Sequence, residues 1–484
     1  MARNRHLNRQ LRQEQALRAR AEGELREARQ ALKELEQARR PTASNSSLPP
    51  SANPIGVGPP VKKQPTGRRP GGQVGHAGKT RTLLPQDQVD HVAEHRPASC
   101  GHCHAAIDPQ SPGEVAGRHQ VAELPPRAVL ISEHRSLACR CGRCGQVTRG
   151  TIPHDVAASC TGPRLGAAVA LFGASLKGSR RAVAGMMAEV LGCPMALGSV
   201  CAREKELCGA LAGPYDQLVA AAARSKVKYV DETGWKLKGK TRWLFVSADA
   251  GRAVFRVEKA RTRPAFKALL GGGRPRGVFC TDRAGIYDVL PLQKRGLCWA
   301  HLKRDFVAAI ERGGAGEASA AEMLAVCREV FGLWHRFKER EVGRRGLEEG
   351  VEPLRRRMRT ALEEGAACGQ KKTAGLCRSL LKREAALWAF AKTPGLEPTN
   401  NLAERMLRPA VIWRKKSFGS SSEAGCRYVE RVLSVLATLR QRGRPTLEYL
   451  ADAIGARRKG EAAPPIEPAT AAPPAGREDL RKVA

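Results

Sequence analysis

Residues 226–235 read Lys-Val-Lys-Tyr-Val-Asp-Glu-Thr-Gly-Trp, a short β-like run that closes on an acidic residue, Asp231. Residues 277–287, Gly-Val-Phe-Cys-Thr-Asp-Arg-Ala-Gly-Ile-Tyr, have the same form, and Asp282 ends that run. Glycine or charged residues bound both runs, as they commonly bound short strands. The two stretches therefore predict strands of an α/β sheet, each with an acidic residue at its end.

A third acidic residue begins a helix instead of ending a strand. Residues 399–409 read Thr-Asn-Asn-Leu-Ala-Glu-Arg-Met-Leu-Arg-Pro, which places Glu404 at the start of an arginine-dense helix. In one α/β fold, strand ends and helix starts can lie close together, which could place Glu404 near Asp231 and Asp282. Two divalent ions about 4 Å apart can cleave a phosphodiester, and Mg²⁺ or Mn²⁺ prefers carboxylate oxygens. We therefore expect these three to be the catalytic, metal-binding residues of an enzyme that cuts and joins DNA.

Each acidic residue also has a structural explanation. Asp231 suits a turn at a strand end, with Glu232 on the opposite face, and Asp282 suits a cap on the turn that follows it. Glu404 stands three residues after Asn401, which is the spacing of a capping box. Taken one at a time, the residues leave both interpretations open.

The chain is strongly basic. Its 484 residues include 83 Lys plus Arg against 47 Asp plus Glu, which gives a formal net charge of +36. Such an excess favours a polyanionic partner that is bound through salt-sensitive electrostatics. Aromatic residues make up only 4% of the chain, so phosphate contacts are expected rather than stacking on a wide aromatic platform. DNA is therefore the predicted partner.

A membrane is not a predicted partner. The longest apolar stretch, around residues 166–176, is shorter than the roughly 20 residues that a spanning helix needs. The first residues, Met-Ala-Arg-Asn-Arg-His, are followed by no apolar core, so we expect no secretory signal and a reducing, cytoplasmic location. The 15 cysteines are then expected to be thiols or metal ligands, not disulfides.

A small Cys/His-rich module is predicted over residues 90–150. Cys100-Gly-His-Cys103 and Cys141-Gly-Arg-Cys144 are two Cys-x2-Cys pairs, which suit the four thiolates of a structural, tetrahedral Zn²⁺. A module of about 60 residues with few large apolar side chains would depend on the metal for its stability. Cys139 could replace Cys141 as a ligand. Reduced thiols in a loop are the alternative interpretation.

The two ends of the chain have the composition of helical and flexible segments. Residues 1–40 predict a long helix with a short or imperfect coiled coil, or a solvated charged helix. Residues 41–89 predict a flexible basic linker, which either follows a DNA minor groove or is a plain connection. Its candidate DNA-binding residues are Lys62, Lys63, Arg68 and Arg69. Residues 457–484 are rich in Ala, Pro and Lys, and are expected to be disordered.

Helices surround the predicted strands. Residues 160–215 contain short helical periods between Gly or Pro turns, which predict either a DNA-binding helix-turn-helix region or a small helical bundle. Residues 302–392 are helical in character and contain no strand candidate. The predicted strands are Val227–Asp231, Trp243–Ala248, Ala253–Val257, Gly277–Asp282 and Leu297–Trp299.

Four motifs in this order resemble the insertion sequence 66 family of bacterial transposases. They are Val-Asp231-Glu-Thr-Gly-Trp235, Thr-Asp282-Arg-Ala-Gly-Ile-Tyr287, Cys298-Trp-Ala-His301-Leu-Lys-Arg304-Asp-Phe306 and Asn400-Asn-Leu-Ala-Glu404-Arg-Met-Leu-Arg408-Pro. The cysteine module and the stretch Arg-Lys-Lys-Ser-Phe-Gly-Ser at residues 414–420 extend the resemblance over residues 30–445. Arg283 departs from the pattern, since a small or neutral residue is expected there.

The resemblance implies a transposase of the DDE class. It implies an RNase H-like catalytic core over residues 226–305 and 396–445, in which Asp231, Asp282 and Glu404 hold the metals, and a large helical insertion over residues 306–395. The fold class is therefore α/β, with the N-terminal helix, the zinc module and the helical DNA-binding region preceding the core. We expect a homo-oligomer at the bacterial nucleoid, acting on element ends and target DNA, with accessory proteins of the same element.

Basic residues that follow Glu404 are expected to hold the DNA backbone as the scissile phosphate enters the site. They are Arg405, Arg408, Arg414, Lys415 and Lys416. A solvated basic helix face is the alternative for this set. Cys298 and His301 are interpreted as a structural clasp beneath the site, or as half of a metal site.

The predicted function is binding of terminal inverted repeats, followed by metal-dependent strand cleavage and transfer. A non-catalytic DNA-binding regulator derived from a transposase is the alternative.

Overall fold

The computed structural model describes residues 83–125, 128–157 and 159–466. These residues fall into two compact units, which we call the small unit (residues 83–132 and 190–192) and the main unit (residues 133–189 and 193–466). The predicted helix at 1–40 and most of the linker lie outside the described residues. So do Lys62, Lys63, Arg68 and Arg69.

The small unit is built mainly from irregular backbone. It contains a short 3₁₀ helix, Gln86–Gln88, and an isolated bridge between Ser99 and Ala106 that encloses Cys100 and Cys103. Its residues are mostly exposed. The first Cys-x2-Cys pair therefore lies in a tight turn that carries little apolar core.

The main unit opens with a β-hairpin and a group of helices. The hairpin pairs β1 (Ala138–Arg140) with β2 (Val147–Arg149), and Cys141 and Cys144 lie in its turn. The helices are α1 (His154–Ala157), α2 (Pro163–Leu176), α3 (Arg180–Glu189), α4 (Leu197–Ala210) and α5 (Ala212–Arg224). The helical character predicted for residues 160–215 is thus present in the structure.

A five-stranded mixed sheet follows. Its strands are β3 (Val227–Leu237), β4 (Lys240–Asp249), β5 (Arg252–Glu258), β6 (Val278–Thr281) and β7 (Arg295–Leu297), with α6 (Arg263–Leu269) between β5 and β6. The spatial order is β5-β4-β3-β6-β7. Strands β3, β4 and β5 pair antiparallel, whereas β6 and β7 run parallel to β3. This mixed α/β architecture is consistent with the expected RNase H-like core.

Two details of the predicted strands are wrong. Strand β3 does not end at Asp231 but continues to Leu237, and Asp231 pairs with Val246 in the middle of the β3–β4 ladder. The strand continues because a tight turn at Lys238 and Gly239, both with positive φ, returns the chain directly as β4. Strand β7 ends at Leu297, two residues before the predicted Trp299.

Helices occupy the stretch predicted to be helical throughout. They are α7 (Trp299–Glu311), α8 (Glu317–Lys338), α9 (Arg344–Ala367), α10 (Lys371–Leu381), α11 (Glu384–Leu387) and α12 (Ala389–Lys392). Residues 302–392 form no strand, in agreement with the prediction.

Three helices complete the main unit: α13 (Asn401–Ser417), α14 (Glu423–Gln441) and α15 (Thr446–Lys459). The prediction that residues 457–484 are disordered is wrong for the first of these residues, because α15 continues to Lys459 and Ile466 is fully buried. Residues 467–484 lie outside the described part of the chain. Within that part, none of the helices is both long enough and apolar enough to cross a membrane.

The two faces of the sheet are covered by different helices. Tyr229 faces one hydrophobic cluster, together with residues of α7 to α10 and α13, whereas its neighbour Val230 faces a second cluster with residues of α2, α4, α14 and α15. Successive residues of a strand point to opposite faces, which explains the division. Helices α2 and α4 therefore share a core with the five-stranded sheet.

Helix α14 protects the outer edge of the sheet. Backbone N–H groups of the edge strand β5 donate to side chains spaced four residues apart on α14. The pairs are Ala253 to Thr438 Oγ1 (3.2 Å), Phe255 to Ser434 Oγ (2.8 Å) and Val257 to Glu430 Oε1 (2.7 Å). An edge strand with unpaired N–H groups is prone to pairing with other chains, and these side chains occupy it.

Replacing Ser434 with alanine tests this edge. The Phe255 N–H would lose its acceptor inside the protein, since both residues are almost fully buried, and the free energy of unfolding should fall by about 1–3 kcal/mol. Urea denaturation measures the change. The control is Ser421→Ala, because Ser421 is exposed. Equal stabilities of the two variants would show that the α14 side chains do not support the edge.

Candidate active site

Asp231 lies on β3, the central strand of the sheet, which pairs with β4 on one side and with β6 on the other. Its Oδ1 accepts the backbone N–H of Glu232 at 2.9 Å. Burial is the largest cause that raises the pKa of Asp231 well above its usual range, and the carboxylates of Glu232, Asp282 and Glu404 add to it. The structure therefore brings the predicted acidic residues near enough to Asp231 to interact with it electrostatically.

Asp282 follows β6 and uses one oxygen to shape its loop. Its Oδ1 accepts the Ala284 N–H at 2.9 Å, so the residue does cap the following turn. Its Oδ2 lies 3.5 Å from Arg261 Nη2. The structural interpretation and the catalytic one are thus compatible, because the two oxygens have different surroundings.

The backbone of this loop is held by a buried arginine. Arg295, fully buried on β7, donates to the Asp282 carbonyl at 2.9 Å and to Thr281 Oγ1 at 3.0 Å. Its Nη1 lies 2.7 Å from Asp288 Oδ1, and Asp288 also binds Arg383 Nη2 at 2.8 Å. Since Arg383 follows α10, ion pairs connect the helical stretch to the loop of Asp282.

Arg283, the residue that departs from the family pattern, forms an ion pair with Asp305. Its Nε and Nη2 lie 3.0 Å and 2.7 Å from Asp305 Oδ2 on α7. The guanidinium is therefore paired with a carboxylate that is not one of the three predicted catalytic residues.

Glu404 lies in the first turn of α13, and a buried asparagine anchors that turn. The helix begins at Asn401 with Asn400 as its N-cap, and no side chain caps it. The Asn400 Nδ2 instead donates to the Val230 carbonyl at 2.9 Å. The capping-box explanation is therefore wrong. This hydrogen bond ties the start of α13 to the residue that precedes Asp231.

Glu404 also faces the first turn of α7. Its Oε1 lies 3.6 Å from His301 Nδ1 and 4.0 Å from Arg304 Nη2. Both His301 Nδ1 and Glu404 Oε1 are buried and have no hydrogen-bond partner among the described residues. Cys298 is close as well: one ligand atom from each of Cys298, His301 and Glu404 lies within 4.8 Å of the others. Sequence spacing revealed Cys298 and His301 but not their approach to Glu404.

Glu232 is a site residue that the sequence analysis did not assign. Its side chain is 1% exposed, accepts the Tyr287 hydroxyl and pairs with the Arg261 guanidinium. Burial, followed by the charge of Asp282, raises the pKa of Glu232. The motifs contain both Glu232 and Tyr287, but their contact across 55 positions of sequence is visible only in the folded chain.

The basic residues after Glu404 divide into two groups. Arg414 Nη1 donates to the Gly234 carbonyl and lies 3.4 Å from Thr233 Oγ1, so this arginine binds the backbone of β3. Arg414 is half-buried, and its role as a DNA contact stays a prediction. The exposed members of the set are Arg405, Arg408, Lys415 and Lys416.

The two Cys-x2-Cys pairs adopt the same kind of turn, each within its own unit. In the small unit, the Cys100 carbonyl accepts a hydrogen bond from the His104 N–H at 2.9 Å, and His104 has a φ of 59°. In the main unit, the Cys141 carbonyl receives the Gly145 N–H at 2.9 Å, and Gly145 has a φ of 70°.

The sulfur atoms that begin these turns also have similar surroundings. Backbone N–H groups of Cys103 and then His102 lower the pKa of Cys100, and those of Cys144 and then Arg143 lower the pKa of Cys141. The N–H donors of each turn therefore favour a thiolate at its first cysteine.

Comparisons with known proteins find a matching family and a partly matching relative. A family profile described as "Transposase IS66 family" matches residues 168–428, a range that contains Asp231, Asp282 and Glu404. The chain is also 31% identical over 180 residues to the uncharacterized protein y4qI of Sinorhizobium fredii. That match covers 35% of this chain and 32% of the relative, so the chain spans less than half of that relative's length.

Proposed function

Because this chain belongs to the IS66 family of DDE transposases, which are polynucleotidyl transferases, we propose that it cuts and joins DNA at the ends of an insertion element. We further propose that it binds the terminal inverted repeats of that element and transfers the cut strand to target DNA. Asp231, Asp282 and Glu404 are the proposed catalytic residues.

The electrostatics of Asp231 carry this proposal. Desolvation, followed by the charges of Glu232, Asp282 and Glu404, raises the pKa of Asp231, so a bound cation would favour its ionised form. The chain has a large excess of positive charge elsewhere, so acidic residues are not needed here for solubility. Their convergence suits hard divalent ions.

The donor set fits Mg²⁺ or Mn²⁺, the divalent class that the family uses. Carboxylate oxygens are available on all three residues, because the backbone N–H groups of Glu232 and Ala284 donate to the Oδ1 atoms of Asp231 and Asp282 and not to their Oδ2 atoms. Bound there, the metal would supply Lewis acidity toward the scissile phosphate and its nucleophile. The protein's own contribution is to hold the carboxylates in place, through Asn400 for α13 and Arg295 for the Asp282 loop.

DNA is the proposed partner of the basic face next to the site. The exposed residues Arg405, Arg408, Lys415 and Lys416 follow Glu404 on α13, where they would contact the backbone of a strand that enters the site. The proposed DNA contacts in the linker are Lys62, Lys63, Arg68 and Arg69. We also propose that the protein forms a homo-oligomer and acts with accessory proteins of the same element.

Substitution of the three acidic residues tests the proposed reaction. Asp231→Asn, Asp282→Asn and Glu404→Gln should each reduce Mg²⁺-dependent cleavage of labelled element-end DNA to the level seen with EDTA, because each removes a charged metal ligand. Binding of the same DNA, measured by mobility shift, should change little. The control is Asp216→Asn, which alters an exposed carboxylate on α5.

Full cleavage by the Asp231→Asn protein would refute the assignment. A wild-type protein that binds the DNA in a salt-dependent way but gives no Mg²⁺-dependent product would favour the non-catalytic regulator instead.

We also propose that the two Cys-x2-Cys pairs bind Zn²⁺ as thiolates. Their matching turns, each with N–H groups directed toward the first sulfur, support this, since such groups favour the charged form that a metal needs. The turn in the main unit begins at Cys141, whereas Cys139 lies within β1 opposite Thr148. Cys141 is therefore the proposed ligand, rather than Cys139.

Zinc analysis of purified cysteine variants tests this choice. Cys141→Ser should lower the zinc-to-protein ratio measured by atomic spectroscopy, because it removes a thiolate from the turn. Cys139→Ser, the matched control two residues away, should keep the wild-type ratio. The opposite pattern would transfer the ligand role to Cys139, and unchanged zinc in both variants would exclude the main-unit pair as a zinc site.

A further inference from the structure

We propose that Cys298, His301 and Glu404 form an additional metal site, suited to a borderline ion such as Zn²⁺, at the point where α7 and α13 begin. The site is separate from the Cys-x2-Cys pairs, and it includes two residues that the proposed reaction does not use. Its metal binding does not depend on the proposed function, although its consequence for Glu404 does.

Helix geometry places the three ligands together. Cys298 is the N-cap of α7 and His301 follows three positions later, so the two side chains lie over the same face of the first turn. The two helix starts are joined by the Trp299 N–H, which donates to the Pro398 carbonyl at 2.8 Å, and by the Asn400 N–H, which lies 3.1 Å from Cys298 Sγ. Glu404 is thereby brought to Cys298 and His301.

The distances fit an ion better than direct hydrogen bonds. His301 Nδ1 and Glu404 Oε1 are 3.6 Å apart, which is too long for a hydrogen bond. Ligand atoms around a tetrahedral Zn²⁺ are roughly 3.3–3.6 Å apart, given its bond lengths to nitrogen, oxygen and sulfur. The ligand atoms of the whole cluster lie within 4.8 Å of one another, so small side-chain movements would complete the geometry.

Two ligand atoms lack any other partner. Buried polar atoms in folded proteins are nearly always hydrogen-bonded, because an unmade bond costs free energy. His301 Nδ1 and Glu404 Oε1 are both buried without a hydrogen-bond partner in the described ranges. The nearby Arg304 Nη2 stays 4.0 Å from Glu404 Oε1. A single ion would satisfy both atoms at once.

The ligand types select the ion. A sulfur, an imidazole nitrogen and a carboxylate oxygen suit Zn²⁺ and its spectroscopic substitute Co²⁺, whereas Mg²⁺ prefers oxygen ligands only. A carboxylate has two oxygens, so Glu404 can bind this ion through one and a catalytic Mg²⁺ through the other. If the proposed reaction is right, the additional ion would fix the Glu404 carboxylate against α7.

Co²⁺ titration of the purified full-length protein tests the site, without DNA or Mg²⁺. Besides the Co²⁺ held by the Cys-x2-Cys pairs, the wild-type protein should bind one further equivalent at this site, which adds to the sulfur-to-cobalt absorption. Cys298→Ala should lose that added absorption and one equivalent of Co²⁺, and His301→Gln should lose the equivalent while keeping a polar side chain of similar size. The control is Cys327→Ala, because Cys327 is equally buried, lies on α8 and contacts the Trp299 carbonyl.

Absorption and Co²⁺ stoichiometry equal to the wild type in Cys298→Ala would overturn the proposal, as would the same loss in Cys327→Ala, since both results would make the cluster a packed clasp. Neither result depends on cleavage activity. Failure of this site is therefore distinguishable from failure of the proposed transposase reaction, which the Asp231→Asn assay tests.

Discussion

The candidate active site depends on one constraint, the confinement of Asp231 with three further carboxylates. Desolvation of Asp231 on the central strand, followed by the charges of Glu232, Asp282 and Glu404, raises the pKa of its carboxyl well above the usual range. Contacts that fix these groups, and a cation that offsets their charge, would both stabilise the arrangement. Arg261 provides part of that charge, since it pairs with Glu232 and approaches Asp282. Divalent metal ions are the natural source of the remainder.

A few contacts within the main unit hold these carboxylates in position. Asn400 fixes the start of α13 to β3, and Arg295 holds the loop of Asp282 by donating to the Asp282 carbonyl. Arg295 also shares Asp288 with Arg383, so the long helical stretch after α7 is connected to the same loop by ion pairs. The helices therefore help to position the backbone of Asp282, a proposed catalytic residue.

Much of this architecture could be predicted from the sequence, because local patterns determine it. Each of the five strands overlaps a predicted apolar run, although β7 shares only Leu297 with its run. Asp231 lies inside β3 and not at its end, because pairing with β4 extends the strand past Gly234. The contacts of Arg414 with β3 and of Glu404 with His301 join residues distant in sequence, and no spacing rule indicates them.

The most direct test of the central claim is to locate the metal itself. Crystals of the full-length protein grown with Mn²⁺, measured at the manganese absorption edge, should give anomalous peaks within ligand distance of Asp231, Asp282 and Glu404, about 2.0–2.2 Å from their oxygens. Asp231→Asn crystals should lose or weaken those peaks. Manganese bound elsewhere, with the three carboxylates free of metal, would contradict the proposal that their repulsion is relieved by a catalytic ion.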